Sequence, residues 1–179
     1  MCGLTGIYHL SKSKSWSEPE ITSAVVRMTA TLTARGPDAS GHFVKAPVAL
    51  GHRRLSILEL SDAGAQPMRL SESGPVITYN GEVYNFQELR GRLEGLGHSD
   101  WRGRSDTEVI LHAYAEWGLD GLKLLEGTFA LALWDPSCKR LVLMRDRLGV
   151  KPLFFGESSH GLAFGSEIKA VLAAGGVNV

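Results

Sequence analysis

With 179 residues the chain is long enough for one domain, or two very small ones, and can close an apolar core without staples. Nineteen basic residues balance nineteen acidic ones and no dense Lys/Arg run occurs, so nothing indicates a nucleic-acid or anionic-membrane surface. Two cysteines make no disulfide framework, no paired CxxC or HxxxH elements build a zinc site, and neither a basic–apolar leader nor a bilayer-length apolar run is present; the expectation is a cytoplasmic chain without a metal, acting on a small molecule or a protein.

From the amino terminus, "CGLTGIYHL" (2–10) reads as a strand in which Gly3 and Gly6 stand where packing would favour side chains, a mark of close approach by backbone or ligand. The polar stretch 11–19 reads as a loop. Ser17 and Glu20 have capping-box spacing, and Ile21, Val25, Met28 and Leu32 recur at four, three and four, which predicts an amphipathic helix over 18–33 lying on a sheet. Segment 41–57 splits into short strands at Ala46-Pro47, and segment 74–85 reads as a strand ending in a polar, glycine-containing turn. Asn85 with Glu88 opens a helix whose apolar face carries Phe86, Leu89, Leu93 and Leu96. Ser105 with Glu108 opens another, with Val109, Ile110, Ala113, Tyr114 and Trp117 facing inward; Gly97 and Gly118 close the two. "GTFALALWD" (127–135) is apolar at nearly every position, which predicts burial on both faces, and pairs with 140–146 around the turn "PSCK". Segments 152–156 and 161–166 form a second hairpin, and Ser166 opens a short terminal helix. Hairpins with helices between them suggest sheets covered by helices.

Packing does not explain five polar stretches: Cys2, "RGPD" (35–38), "HRRLSI" (52–57), "NGEVYN" (80–85) and "RSDTE" (104–108). Each has a plain structural reading. Cys2 can be a small buried hydrophobe, "RGPD" a turn after a helix, Arg54 half of a surface ion pair, Asn80-Gly81 a hairpin turn and Ser105-Asp106 a helix cap.

The motifs "MCG", "RGPD", "HRRLSI", "NGEVYN", "SDTEVI", "RDRLGVKPLFF" and "SEIKA" run in that order from Met1 to about Ala170. On them the chain resembles the glutamine-hydrolysing domain of the class II, N-terminal nucleophile glutamine amidotransferases, and most resembles the asparagine synthetase branch. The resemblance implies an α+β fold, a four-layer αββα sandwich with two antiparallel sheets between helical layers, and assigns residues 1–179 to the glutaminase domain. It implies that Met1 is removed, so that Cys2 supplies the thiol nucleophile and its own α-amine the base. An α-amine with an ordinary pKa of about 8 can accept a thiol proton near neutrality, and no histidine is then needed.

By the same resemblance the Asn80 side-chain amide and the Gly81 N–H are the donors to the tetrahedral oxyanion. The substrate, L-glutamine, is a zwitterion. Arg54 is implied for its α-carboxylate, Asp106 for its α-ammonium and Glu82 as a second polar wall, with the backbone of Leu55, Ile57 and Leu58 lining the pocket. Arg35 and Asp38 read as structural supports beside the site. The implied reaction passes through a γ-glutamyl thioester to glutamate and ammonia and needs no cofactor in this domain. ATP and magnesium are expected only in a synthetase domain, whose "SGGxDS"-like phosphate loop does not occur in this chain. A C-terminal or separate synthetase domain would take the ammonia, for asparagine synthesis from aspartate and ATP, and a homodimer is compatible. Two alternatives stay open: the glutaminase domain of a related amidotransferase whose acceptor is a sugar, polymer precursor or secondary metabolite, and a non-catalytic glutamine-binding module.

Overall fold

A computed structural model describes residues 1–10, 15, 17–57 and 59–177. The loop expected over 11–19 therefore lies largely outside the described residues, as does Leu58. Among the described residues there are nine strands and five α-helices. In chain order they are β1 (Gly3–Tyr8), α1 (Glu18–Ala30), β2 (Ala39–Lys45), β3 (Val48–Arg54), β4 (Met68–Arg69), β5 (Val76–Val83), α2 (Phe86–Gly95), α3 (Asp106–Trp117), α4 (Leu119–Lys123), β6 (Gly127–Asp135), β7 (Arg140–Arg145), β8 (Phe154–Ser158), β9 (Gly161–Gly165) and α5 (Ile168–Leu172).

Two antiparallel sheets result, one ordered β2-β3-β1-β9-β8 and the other β4-β5-β6-β7. Strand alternation explains how they stack. Leu4 of β1 and Val48 and Leu50 of β3 meet Val76, Ala130, Ala132 and Trp134 of the other sheet in an apolar layer between the two. Ile7 and Ala163 turn the opposite way, toward Ala24 and Met28 of α1 and Val171 of α5. Tyr79, Leu131 and Leu133 face Leu89 and Leu93 of α2 and Ile110 and Tyr114 of α3. The four layers are thus helix, sheet, sheet, helix, as the sequence resemblance implies. Strand β6 is buried on both faces from Phe129 to Asp135, which accounts for its near-continuous apolar run.

Several local expectations fail for identifiable reasons. Ser17 occupies the N-cap of α1 without a side-chain cap bond; Pro19 at the second helical position has no N–H, and the Glu20 N–H at the third is not taken up by the Ser17 hydroxyl either. The helix stops at Ala30 rather than continuing to 33, because the Thr31 and Thr33 hydroxyls donate to the Met28 and Ala30 carbonyls and the backbone tightens to i→i+3 bonds. Asn85 makes no cap bond either. Its amide instead donates to the Leu124 carbonyl at 2.9 Å and accepts from the Glu126 N–H at 3.1 Å, fastening the start of α2 to the loop before β6. Only Ser105 caps as read, accepting from the Glu108 N–H. Ser166 does not open α5: its N–H and hydroxyl both bind the backbone of Leu4, and the helix begins two residues later.

Two findings bear on the site, the first a correction and the second in line with the close approach expected at those glycines. Asn80-Gly81 is not a turn, since β5 runs through it and pairs continuously with β6, Val76 opposite Trp134 to Val83 opposite Gly127. And Gly3 and Gly6 are crowded by the chain itself. A Cβ on Gly6 would lie 2.4 Å from the Phe164 ring and 2.7 Å from the Ala49 carbonyl, and one on Gly3 would lie 3.0 Å from the Leu32 Cβ.

Candidate active site

The register of β1 on β3, Gly3 opposite Arg53, brings Cys2 to the end of β3, where the chain leaves the sheet at Arg54 and Leu55. The Leu55 N–H donates to the Cys2 Sγ at 3.3 Å, and the thiol lies 3.5 Å from the Leu55 carbonyl. Arg35 holds the backbone at this point: its Nε donates to the Cys2 carbonyl at 2.9 Å while Nη1 pairs with Glu167 at 3.2 Å. Asp38 accepts from the Ser56 N–H at 2.8 Å, and the Asp38 N–H donates to the Arg54 carbonyl. Arg53 ties the same loop down through the Gly36 carbonyl. "RGPD" and "SEIKA" thus brace the start of β1 and the end of β3 from behind, and neither Arg35 nor Asp38 lines the cavity.

Polar stitches between the sheets set the position of β5. The Thr78 hydroxyl donates to the Gly51 carbonyl at 3.2 Å, and His52 Nε2 lies 3.1 Å from the Tyr79 carbonyl, an acceptor, so this nitrogen carries the hydrogen. Burial, with the Arg54 charge adding to it and the Tyr79 bond opposing it, pushes the His52 pKa down to about 4, so the imidazole is neutral near neutral pH.

The β5 edge facing the cavity follows from its pairing. The N–H and carbonyl of Phe129 are both directed at Asp146, so Gly81, opposite Phe129, is in a non-hydrogen-bonded pair and its own N–H points away from β6. The N–H groups two residues either side point the same way. Tyr79 donates to the Gln66 side chain at 2.7 Å and Val83 to Asp106 Oδ2 at 3.0 Å, which leaves the Gly81 N–H between them facing the cavity. Gly81 is needed for a different closeness: a Cβ there would lie 2.4 Å from the Thr128 carbonyl. Asn80, on the opposite face of the strand, is buried, and among the described residues its Nδ2 has no acceptor. A buried amide N–H without an acceptor costs about 1–3 kcal/mol, so its retention calls for a reason outside the fold.

Cys2, Arg54, Leu55, Ile57, Asn80, Gly81, Glu82 and Asp106 line one cavity of about 160 Å³. Sites for drug-sized ligands span roughly 300–1,000 Å³, so this one suits something of amino-acid size. Arg54 is buried and gives one N–H from each terminal nitrogen to loop carbonyls, Nη1 to Ser61 at 3.0 Å and Nη2 to Glu59. Three of its five donors remain, including one on each Nη, which preserves a fork for a carboxylate. Asp106 begins α3. Its Oδ2 accepts from the Tyr79 hydroxyl at 2.6 Å as well as from Val83, and burial, against the pull of those two bonds, leaves the carboxyl above its ordinary value near 3.8. Glu82 and Ile57 stand exposed at the rim.

The same cavity is lined by Met1, Gln66, Tyr79, Thr107 and Lys151, to which the sequence reading gave no place in the pocket. Lys151 sits inside the motif "RDRLGVKPLFF", and its loop is folded by Asp146, which accepts from the N–H groups of Val150 and Lys151. Tyr79 directly precedes Asn80, and alternation along β5 puts it on the α3 side. Gln66 carried no signal. Cys138 lies at the other end of β6, exposed, beside Asp135. Among the described residues no group of three or more His, Cys, Asp or Glu could hold a metal ion, and no helix is long and apolar enough to cross a membrane.

Comparison with known proteins fits this arrangement. Residues 1–179 match the glutamine amidotransferase domain family. The chain is 43% identical over 175 residues to asparagine synthetase [glutamine-hydrolyzing] 3 of Bacillus subtilis, covering 97% of this chain and 28% of that protein. It is 38% identical over 174 residues to asparagine synthetase [glutamine-hydrolyzing] 2 of the same organism, covering 97% of this chain and 22% of that protein. It therefore spans about a quarter of the length of these relatives. In fold it matches the glutamine phosphoribosylpyrophosphate amidotransferase of B. subtilis with a TM-score of 0.75 at 21% identity, over 99% of this chain and 44% of that one. From the colinear motifs, the αββα sandwich and these relatives together, the chain belongs to the glutamine amidotransferase domain family, an enzyme family in which proteins similar to it include glutamine-hydrolysing asparagine synthetases.

Proposed function

We propose that residues 1–179 form a glutaminase domain that hydrolyses the side-chain amide of L-glutamine through a thioester on Cys2. The observation that carries this reading is the unsatisfied, buried Nδ2 of Asn80 in one small cavity with the Cys2 thiol and the Gly81 N–H. Donors already in place and unpaired in the resting fold are what a developing oxyanion requires.

Met1 lines the cavity beside Cys2 and is 58% exposed, accessible to removal. Once it is gone, the α-amine of Cys2 takes the thiol proton, and sulfur attacks the amide carbon of glutamine. The carbonyl oxygen becomes an oxyanion held by Asn80 Nδ2 and the Gly81 N–H. Collapse expels ammonia, the leaving nitrogen receiving the proton stored on the α-amine, and leaves the γ-glutamyl thioester. Water then adds to the thioester with the amine again as base, releasing glutamate and restoring the thiol. Arg54 grips the α-carboxylate and Asp106 the α-ammonium, while the Leu55 and Ile57 backbone and Glu82 close the remaining sides.

The ammonia passes to a C-terminal or partner synthetase domain, for asparagine synthesis from aspartate with ATP and magnesium bound there. The likeness to glutamine-hydrolysing asparagine synthetases supports that acceptor. The test is ammonia release from glutamine by the purified chain and its Cys2→Ala variant. The parent releases ammonia and the variant does not; equal release from both overturns the mechanism.

A further inference from the structure

The carboxylate assigned above to the substrate ammonium has two oxygens, and the fold treats them differently. Asp106 Oδ2 accepts both the Tyr79 hydroxyl at 2.6 Å and the Val83 N–H at 3.0 Å, two donors from the strand that carries Asn80 and Gly81. Tyr79 is 3% exposed, so its hydroxyl has no water to turn to, and burial together with the neighbouring Asp106 charge keeps the phenol protonated well above pH 10. It is a permanent donor. With two β5 donors converging on Oδ2, and the backbone N–H groups of Asp106 and Thr107 also supporting the carboxylate, its orientation is fixed and the first turn of α3 is clamped in register with the oxyanion donors.

We propose that Tyr79 is a positioning residue for substrate recognition: its hydroxyl aims the Asp106 carboxylate at the α-ammonium of glutamine. The inference rests on the glutaminase reading and deepens it. A charge-assisted phenol–carboxylate bond favours the anion, and the anion is the form that binds an ammonium. Glu82 on the same strand, Cys2 and the N-terminal α-amine beside β1, Arg54 on β3, Glu59 in the following loop and Lys151 after β7 are the other charged or titratable groups around this cavity. Arg54, Lys151 and the α-amine when protonated are cations that favour the Asp106 anion, whereas Glu82 and Glu59 oppose it; removal of the Tyr79 hydroxyl takes one stabilising donor from the anion and leaves burial less opposed.

The experiment compares the parent with Tyr79→Phe, which keeps the ring in the core and removes only the hydroxyl. Steady-state ammonia release is followed from pH 5 to 9. Binding of glutamine and of glutaramate, its analogue without the α-amine, is measured by calorimetry in a Cys2→Ala background. The expected result is a roughly tenfold rise in KM at neutral pH with kcat little changed, since the lost hydrogen bond is one to a charged group. The acid limb of kcat/KM moves to higher pH, glutamine binding weakens by a similar factor, and glutaramate binding does not change. If Tyr79→Phe weakens both ligands alike, or lowers kcat with no movement of the acid limb, the hydroxyl serves packing only and the inference is overturned. Asp106→Asn separates the two levels. If it abolishes the preference for glutamine over glutaramate while Tyr79→Phe leaves it intact, only the inference fails; if it has no effect on that preference, the assignment of Asp106 itself fails.

Discussion

Replacing Asn80 by alanine removes one donor from the site and, by the geometry, almost nothing from the fold. The Nδ2 group is buried, lies in the cavity shared with Cys2 and has no acceptor among the described residues. Loss of one preorganised oxyanion donor costs about 3 kcal/mol of barrier, which at 1.36 kcal/mol per decade is about 150-fold in kcat. On the folding side two small effects oppose each other. Deleting an unsatisfied buried donor relieves its desolvation, about 1–3 kcal/mol, while the void left by the side chain costs a comparable amount. The net is within about 1 kcal/mol, or a shift of about 2–4 °C in Tm for a chain of this size. The assay pairs ammonia release at saturating glutamine with calorimetric melting, and adds glutamine binding in the Cys2→Ala background, which is expected to be unchanged because the donor acts on the transition state. A kcat within threefold of the parent shows that Asn80 is no oxyanion donor. A large fall in kcat with an equally large fall in Tm shows that it acts through the fold.

Three further outcomes follow from packing and charge. His52 is neutral in the fold with a pKa of about 4 against an ordinary value of 6.5, so the folded state binds fewer protons. Its contribution is present above pH 6.5 and is lost as the pH falls toward 4, a total of about 3 kcal/mol that urea unfolding at pH 7 and pH 4 measures, with His52→Gln showing a shallower dependence. Asp38→Ala removes the acceptor of the Ser56 N–H and loosens the 55–57 segment of the cavity wall; KM for glutamine rises severalfold and stability falls by about 1 kcal/mol, whereas an unchanged KM shows the brace is dispensable. Gly6→Ala forces the Phe164 ring away from β1, since the new Cβ would sit 2.4 Å from it, and destabilises by about 1–3 kcal/mol in denaturant titration with kcat per folded molecule retained.

The layers were legible wherever the sequence repeats with a clear period and burial follows it, as in α3, whose Ser105 cap and glycine stop also hold. A cap failed where tertiary contacts intervened: Asn85 is drawn into contacts with residues 124 and 126 that no local reading includes. Asn80-Gly81 is the most instructive case. Its local turn preference is strong, yet pairing along the whole of β6 overrides it, and the glycine answers the approach of the Thr128 carbonyl instead. The residues taken to hold glutamine do share one cavity, Leu58 alone lying outside the described residues. What sequence could not supply was the meeting of β1, β3 and β5 across two sheets, which adds Tyr79 and Gln66 to the cavity and divides Arg54 between a loop and the open pocket.

The central claim is that Cys2, freed from Met1, is the nucleophile, and intact and peptide-level mass spectrometry tests it most directly after incubation with a diazoketone analogue of glutamine. The account predicts a mass without Met1 and one adduct, located on Cys2, with formation slowed by excess glutamine and ammonia release lost in proportion. A chain that keeps Met1 and remains unlabelled at Cys2 while still releasing ammonia would contradict it.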